Sequence, residues 1–290
     1  MGELRAELRQ AAPRPGHDGD VETDLQLAQR AVLTGATVAL PHFAALSDLP
    51  RELKADGSMV TAADRAVEAA IREVLAAARP GDAVLGEEEG QKGRPGAGAR
   101  RWIVDPIDGT ALFVAGDDRW LILLALEELG EIVTAVAAHP AQGSLWWATR
   151  GGGAFEGRVV GGRVVAETPV RVAADGADTP AGSRLGVVPE DWGRDLVAPL
   201  DAVTSALPWP IHPALMIARG DLDLAVQTGG QIWDFAATSL IVTEAGGSYS
   251  SLSGRREPGA GASVYARSEP LRRAALDLLD ADRQVASQAR

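Results

Sequence analysis

A chain of 290 residues is long enough for one large domain or two closely packed subdomains. The absence of cysteine excludes disulfides, thiolate-bound zinc, iron–sulfur clusters and thiol nucleophiles. Four scattered histidines (His17, His42, His139, His212) offer no paired ligand spacing, and a formal net charge of −12 excludes the basic stripe that a nucleic-acid scaffold needs.

No stretch approaches the ~18 consecutive apolar residues of a membrane span. Residues 1–20 lack the apolar core of a signal peptide and read as a loose arm, so a cytoplasmic protein without membrane partners is expected. From Val21 the spacing of Leu25, Ala28, Val32, Gly35, Ala36 and Ala39 predicts a helix to about Leu46, kinked or shortened by Pro41. A turn, KADGSM, follows. A second helix starts at Thr61, with Val67, Ala70, Ile71, Val74, Leu75 and Ala78 on one face, and RPGD stops it.

The period then changes. Ala83 to Leu85 is a short strand running into GEEEG, and QKGRPGAGAR is a loop without periodicity. RWIVD is a buried strand running into PIDGT. The strands LILLALEE, EIVTAVAAH and SLWWATR follow, separated by ELGE and PAQG, and GGGAFEG with GRVVGGRVVAE and PVRVAA forms edge hairpins. Gly151 to Gly153 lack the spacing of a dinucleotide loop and read as hairpin geometry. Trp146 and Trp147, adjacent in one strand, must face opposite ways, one into the core and the other toward an interface or the opposite layer.

AADGADTPAGSR is a low-hydrophobicity joint, which suggests subdomains over 21–175 and 182–290. Beyond it, RLGVVP is a strand, Asp191 to Leu207 a helix, HPALMIARG a short helix and LDLAVQ a strand. Ile232 to Ala245 is a helix, GGSYS and ASVYAR are strands, and Pro270 to Ala286 is a closing helix. The alternation predicts a layered α/β fold.

Two predicted strands end in acids: Glu87, Glu88 and Glu89 after one, Asp105 and Asp108 after the other. Ligand sites of layered α/β folds lie beyond the carboxyl ends of strands. If the two strands are neighbours, their carboxylates converge, repel, and invite a hard cation such as Mg²⁺. Within DPIDGT, Pro106 stiffens the turn, Gly109 lets a ligand approach the backbone, and Thr110 adds a hydroxyl; free amides there could bind phosphate. Acids for metal beside amides for phosphate is how a metal-assisted phosphoryl-transfer site is built. A plain Pro-Gly turn after an edge strand is the competing reading. Asp234 sits in the first turn of a helix whose buried face is Trp233, Ala237, Leu240 and Ile241; it either complements the helix dipole or reaches the acidic cluster. Thr61 and Asp64 either form a plain capping box or orient a water. Lys54, one of two lysines, is read as a charge-balancing group near the acids.

Taken in order, GEE, DPIDGT and WDFAA resemble the inositol monophosphatase family over roughly Asp24 to Leu279. KADGSMVTAADRAVEAAI, RPGDAVLGEEEG and WWATRGGGAF are most similar to its bacterial histidinol-phosphate phosphatase branch. The resemblance implies an αβαβα sandwich and two Mg²⁺ ions, with a third allowed near Glu87. By resemblance Glu87 is a ligand of the first metal, Glu88 its neighbouring acid, Asp105 the bridge, Ile107 a carbonyl ligand, and Asp108 and Asp234 ligands of the second metal. Asp64 and Thr110 would orient the attacking water, and the Gly109 and Thr110 amides would cradle phosphate. A small-molecule phosphate monoester as substrate, direct attack by water, lithium inhibition and a homodimer are implied in the same way.

Three positions depart from the family pattern. Ala111 and Leu112 replace a polar pair after GT. Gln227 stands where an acidic group binds the substrate hydroxyl, and PWPIH around Pro210 replaces the histidinol-phosphatase segment. The metal ligands are kept while the leaving-group pocket changes, which leaves inositol-like, other cyclitol or sugar phosphates and L-histidinol phosphate as candidate substrates. Two other readings compete. A haloacid-dehalogenase-type phosphatase would form an aspartyl phosphate, but it needs Asp-x-Asp where this chain has Asp105-x-x-Asp108. An inactive phospho-ligand-binding homologue would have lost a metal carboxylate, and none is missing.

Overall fold

Thr23 opens the first helix, α1 (Asp24–Ala44), through a capping box with Gln26, and Thr61 opens the second, α2 (Ala62–Ala78), through one with Asp64. The computed structural model describes residues 22–46, 51–53, 59–94, 99–176, 178–189 and 193–288, with backbone alone for 51–53, 59–60 and 282–288. The expected N-terminal arm and Lys54 with its turn lie outside the described residues. Pro41 does not shorten α1; the helix runs through it to Ala44. Gly35 lets α1 and α2 approach closely, since a Cβ there would meet Ile71 and Val67 at 3.1 Å.

Between the two helices, β1 (Arg51–Leu53) and β2 (Met59–Thr61) make a small antiparallel hairpin. The first large sheet follows: β3 (Ala83–Gly86), β4 (Gly90–Lys92), β5 (Arg100–Asp108), and, after the short helix α3 (Thr110–Ala115), β6 (Leu121–Glu128), β7 (Glu131–His139), β8 (Ser144–Thr149), β9 (Gly153–Val160) and β10 (Arg163–Val170). Its order is β10-β9-β8-β7-β6-β5-β3-β4, antiparallel except for β3 with β5. The Gly-rich stretch is thus not all loop: Gly90 to Lys92 fold back on β3. Residues 95–98 lie outside the described residues.

The second sheet is built from β11 (Arg184–Val188), β12 (Ser205–Ala206), β13 (Leu224–Gln227), β14 (Ser248–Ser251) and β15 (Ser263–Ala266), in the order β12-β11-β13-β15-β14. With it come α4 (Arg194–Asp201), α5 (Pro213–Arg219), α6 (Ile232–Glu244) and α7 (Glu269–Gln288). The helix expected over Asp191 to Leu207 is cut to α4. It starts only after Gly193 at φ 73°, and beyond Asp201 the chain turns to pair Ser205 and Leu207 with β11.

Three apolar layers alternate with the sheets. Leu124, Trp147 and Leu126 pack under α1 and α2. Leu123, Ala125 and Trp146, on the other face of the same strands, pack against α5, α6, Tyr249 and Tyr265. Leu224, Val226 and Val264 face the opposite way, onto α4 and α7. The period-2 alternation within single strands therefore writes an αβαβα sandwich. Trp146 and Trp147 fall in different layers, as adjacent strand residues must. Helix α6 is buried on nearly every side from Phe235 to Val242, because it lies between two sheets rather than on one. The single apolar face visible in its sequence is only part of its burial.

Candidate metal centre and active site

Strands β3 and β5 are parallel neighbours, so both carry their acidic carboxyl ends to the same edge of the sheet. The Glu87 amide extends the ladder to the Val104 carbonyl at 3.2 Å. Asp105 does not terminate β5. The strand runs to Asp108, with a register shift against β6 between Asp105 and Asp108. Pro106 and Ile107 form that irregularity, where a missing ladder donor is tolerated. It keeps Asp105 fully buried and leaves Asp108 half-buried at the rim.

Gly109 then takes φ 85°, a left-handed conformation that suits glycine, and starts α3 at Thr110. The first amides of α3 have no acceptor within the helix. Its Phe113 is buried against Trp120 and Phe43, with ring centroids 4.9 and 5.2 Å away, which anchors the turn from below. Six residues are too few for an apolar period, so this short helix leaves no mark in the sequence pattern.

The capping box of α2 serves the site as well as the helix. Asp64 is buried, and its Oδ2 accepts from the Thr61 amide at 2.8 Å and the Thr61 hydroxyl at 2.6 Å. Its Oδ1 faces the Thr110 hydroxyl at 3.0 Å, which also lies 3.1 Å from the Ile107 carbonyl. One hydroxyl hydrogen thus serves two acceptors, and Asp64 fixes where Thr110 points.

Glu68, one turn further along α2, is a site residue that sequence reasoning misses. Fully buried, it accepts from the amides of Glu88 at 2.8 Å and Glu89 at 3.0 Å, and pairs with Arg72 at 2.8 Å. Arg72 also donates to the Gly90 carbonyl at 2.6 Å. The GEEEG turn is therefore built around a buried ion pair. Gly86 is glycine for a local reason: a Cβ there would collide with the Glu68 carboxylate.

The remaining acid arrives from the other end of the chain. Helix α6 packs across the first sheet, and at its start Asp234 accepts from the Gln231 amide at 2.6 Å in a capping box. At its far end Glu244 accepts from the amides of Gly151 and Gly153 at 2.8 and 3.0 Å, so the Gly-rich hairpin turn clamps the helix. Asp105, Asp108 and Asp234 converge, each offering an oxygen within 4.8 Å of the others. Glu87 stands outside this tight triad, but its charge reaches both Asp105 and Asp108. Burial, then Glu87, Asp108, Asp234 and Asp64, push the Asp105 carboxyl well above its usual range. Burial and then Asp234 and Glu87 do the same to Asp108.

Charges in this arrangement oppose folding unless something positive joins them. The Asp105 Oδ1 is sealed from solvent with no hydrogen-bond partner, an acceptor aimed at a ligand that makes no hydrogen bonds. An all-oxygen donor set around such an acceptor fits a hard divalent cation.

Gln227 closes β13, buried, with its Oε1 likewise sealed. Next to it lies His212, the N-cap of α5, whose Nδ1 accepts from the Ala214 amide at 3.2 Å. The PWPIH segment is tied to the first half of the chain. Arg119 stacks 4.3 Å from the Trp209 ring, and Gln142 donates to the Pro210 carbonyl at 3.0 Å. Ala111 is exposed and Leu112 half-buried at the start of α3.

A five-layer α/β sandwich that gathers carboxylates from two halves beside a helix-opening turn defines the class of metal-dependent phosphoryl-transfer enzymes. Comparison with known proteins narrows this: the pattern of the inositol monophosphatase family matches residues 20–284, and the chain belongs to that family. A histidinol-phosphatase of Streptomyces coelicolor is 38% identical over 253 residues, covering 83% of this chain and 91% of that protein. An inositol-1-monophosphatase of Rhizobium meliloti is 33% identical over 267 residues, covering 88% and 95%. A Streptomyces griseus protein named glucose-1-phosphate thymidylyltransferase is 38% identical over 238 residues, covering 81% and 88%. Among solved structures, the extragenic suppressor protein SuhB of Bartonella henselae superposes with a TM-score of 0.73 at 26% identity, covering 87% of this chain and 96% of that one. The protein is accordingly a phosphoric monoester hydrolase of a magnesium-dependent family. Among the described residues no helix is long and apolar enough to cross a membrane.

Proposed function

We propose that the protein hydrolyses a small phosphorylated polyol, an inositol-like, cyclitol or sugar phosphate in preference to L-histidinol phosphate. The observation that carries the reading is the sealed, unpartnered Asp105 Oδ1 within the Asp105–Asp108–Asp234 triad. Glu87, Asp105, the Ile107 carbonyl, Asp108 and Asp234 would hold two Mg²⁺ ions, Asp105 serving both; a third near Glu87 rests on family likeness alone. Bound there, Mg²⁺ supplies a lowered water pKa and charge to offset the departing oxygen.

The chain's own groups do the rest. Asp64 orients the Thr110 hydroxyl, which accepts from and aligns the attacking water. The amides of Gly109 and Thr110 receive phosphate oxygens, and Glu88 supports the metal side of the turn. Gln227 meets a hydroxyl of the leaving group, and as a neutral amide it favours an uncharged polyol over an ammonium-bearing one. No protein phosphate forms.

Residues 21–175 and 182–290 act as two intimate subdomains, each supplying part of the site. The segregation of the two sheets on either side of residues 171–183 supports this. A cytoplasmic homodimer completes the reading; the dimer rests on family likeness alone.

The deciding experiment is a phosphate-release screen with Mg²⁺ and with EDTA. It covers inositol 1-phosphate, other cyclitol phosphates, glucose 1-phosphate, fructose 1,6-bisphosphate, adenosine 3′,5′-bisphosphate and histidinol phosphate. Turnover of a polyol phosphate that EDTA abolishes is expected. A fluoroberyllate or phosphoryl adduct mapped to Asp105 would overturn the mechanism.

A further inference from the structure

The buried face of PWPIH and the end of β13 bring together three polar side chains that the mechanism leaves out or only half uses: His139, His212 and Gln227. All three are buried, and His139 Nδ1, His212 Nε2 and Gln227 Oε1 are each sealed without a regular hydrogen bond. Hydrogen positions in this cluster follow from counting. His139 Nε2 lies 2.6 Å from the Asp118 carbonyl, so it carries the ring hydrogen and leaves Nδ1 a bare acceptor. His212 Nδ1 accepts from the Ala214 amide, so the hydrogen of its neutral ring is on Nε2. Burial keeps that ring neutral, lowering His212 to about 4, and the neighbouring Gln227 amide and His139 ring modify this only secondarily.

Of the two ring hydrogens, the one on His139 is spent on the Asp118 carbonyl, so the one left for the cluster is on His212 Nε2, beside the Gln227 side chain. Turning the Gln227 NH₂ toward His212 would set donor against donor, and it is the oxygen that the structure seals inside. Turning the oxygen inward gives the sealed Oε1 the donor it lacks.

We propose that His212 is a positioning residue for leaving-group recognition: its Nε2–H fixes the Gln227 carboxamide with oxygen inward and NH₂ outward, so the site accepts phosphate esters whose leaving group presents an oxygen lone pair there and disfavours those presenting an ammonium. The inference rests on the reading of Gln227 as a leaving-group contact. It turns a neutral residue into a directional one. An amide free to flip could offer its oxygen to an ammonium, and His212 removes that option.

The test has two arms on the full-length protein. In the first, ¹⁵N-edited NMR of the imidazoles reads the tautomer without any activity. A His212 signal with a protonated Nε2 and a bare Nδ1 is expected, and a protonated Nδ1 overturns the proposal. In the second, KM and kcat are compared for inositol 1-phosphate and for two ammonium-bearing esters, histidinol phosphate and phosphoethanolamine. His212→Ala should raise KM for the inositol ester about tenfold, the worth of one hydrogen bond of about 1.4 kcal/mol, without raising it for the ammonium esters. His212→Gln, whose own amide can donate to Gln227, should recover part of the preference. Gln227→Glu should invert it. An unchanged KM ratio in a folded His212→Ala variant overturns the proposal. If that variant does not fold, the His212→Gln ratio and the wild-type tautomer decide. Absence of turnover for every ester would instead count against the phosphatase reading, and the NMR arm would still stand.

Discussion

Replacing Asp105 with Asn removes one charge and keeps the shape. In the metal-free protein that charge is opposed first by burial and then by Glu87, Asp108, Asp234 and Asp64. Asp105→Asn should therefore melt in EDTA at the wild-type temperature or above it, whereas loss of a well-paired buried polar group would cost about 1–3 kcal/mol. With Mg²⁺ the order reverses. A single ion at 100 times its Kd stabilises a fold by about 2.7 kcal/mol. Taking about 2 °C per kcal/mol for a chain of this size, that is a rise of about 5 °C, which the wild type should show and the variant should lose. Activity should fall by at least about 10³-fold, since the cation's charge stabilisation is worth several kcal/mol and each 1.36 kcal/mol is tenfold.

The pH dependence has a definite sign. Asp105 and Asp108 are raised in the folded state, so without metal the folded protein holds protons that the unfolded chain has released above its ordinary carboxylate value of 3.8. This contribution to stability is therefore lost as pH rises from there. The Mg²⁺-induced shift should grow over the same window, as protons stop competing for the ligands. Differential scanning fluorimetry in EDTA and in Mg²⁺ at several pH values, beside a phosphate-release assay, measures all of this. An Asp105→Asn variant that is destabilised in EDTA, or that keeps its Mg²⁺ shift, would refute the reasoning.

Other perturbations test the surrounding parts. Thr110→Ala removes the hydroxyl that Asp64 orients and should lower kcat by about 10²-fold with little change in KM, checked by steady-state kinetics. Gly86→Ala drives a methyl into the Glu68 carboxylate. It should cost about 1–3 kcal/mol in urea unfolding and weaken the Mg²⁺-induced shift by displacing the Glu87–Glu88 turn. His212, neutral in the fold down to about pH 4 against an ordinary 6.5, binds its proton more readily when unfolded. Its contribution is thus present above pH 6.5 and lost as pH falls toward 4, by about 3 kcal/mol at 1.36 kcal/mol per unit. The slope of stability against pH over that window should flatten in His212→Gln, measured by chemical denaturation.

Much of this was legible from periodicity and turn chemistry. The alternation LILLALEE, with its neighbours EIVTAVAAH and SLWWATR, marks the centre of the first sheet almost to the residue. The acids after β3 and β5 were legible as strand-end acids, but their convergence was conditional on the strands adjoining, which the sheet order supplies. What local pattern could not reveal were features that depend on a distant partner. The short β12 exists because β11 is there to receive it, and that pairing overrides a helical text. Glu68 looks like one more acid on the polar side of α2. It becomes structural only once the GEEEG turn lays two amides on it. A signal was present in the i,i+4 spacing of Glu68 and Arg72 and in the glycine at 86, but neither points to the other in the sequence.

Asp234 shows why fold and site belong together. It lies 126 residues beyond Asp108 in the chain, yet their oxygens come within 4.8 Å. Nothing local to either residue brings this about. Helix α6 is held at its far end by Glu244 on the Gly-rich turn of the first sheet, and its apolar length is gripped between both sheets. The position of the carboxylate is thus set by packing along the whole helix behind it. Buried apolar contacts are worth roughly 1.5–3 kcal/mol for each large side chain, enough in sum to hold like charges together that would otherwise part. The same repulsion that opposes the empty cluster leaves it strongly attractive to a divalent cation. Stability withheld from the metal-free fold therefore reappears as metal affinity, and loosening α6 at Glu244 should weaken Mg²⁺ binding without touching a single ligand.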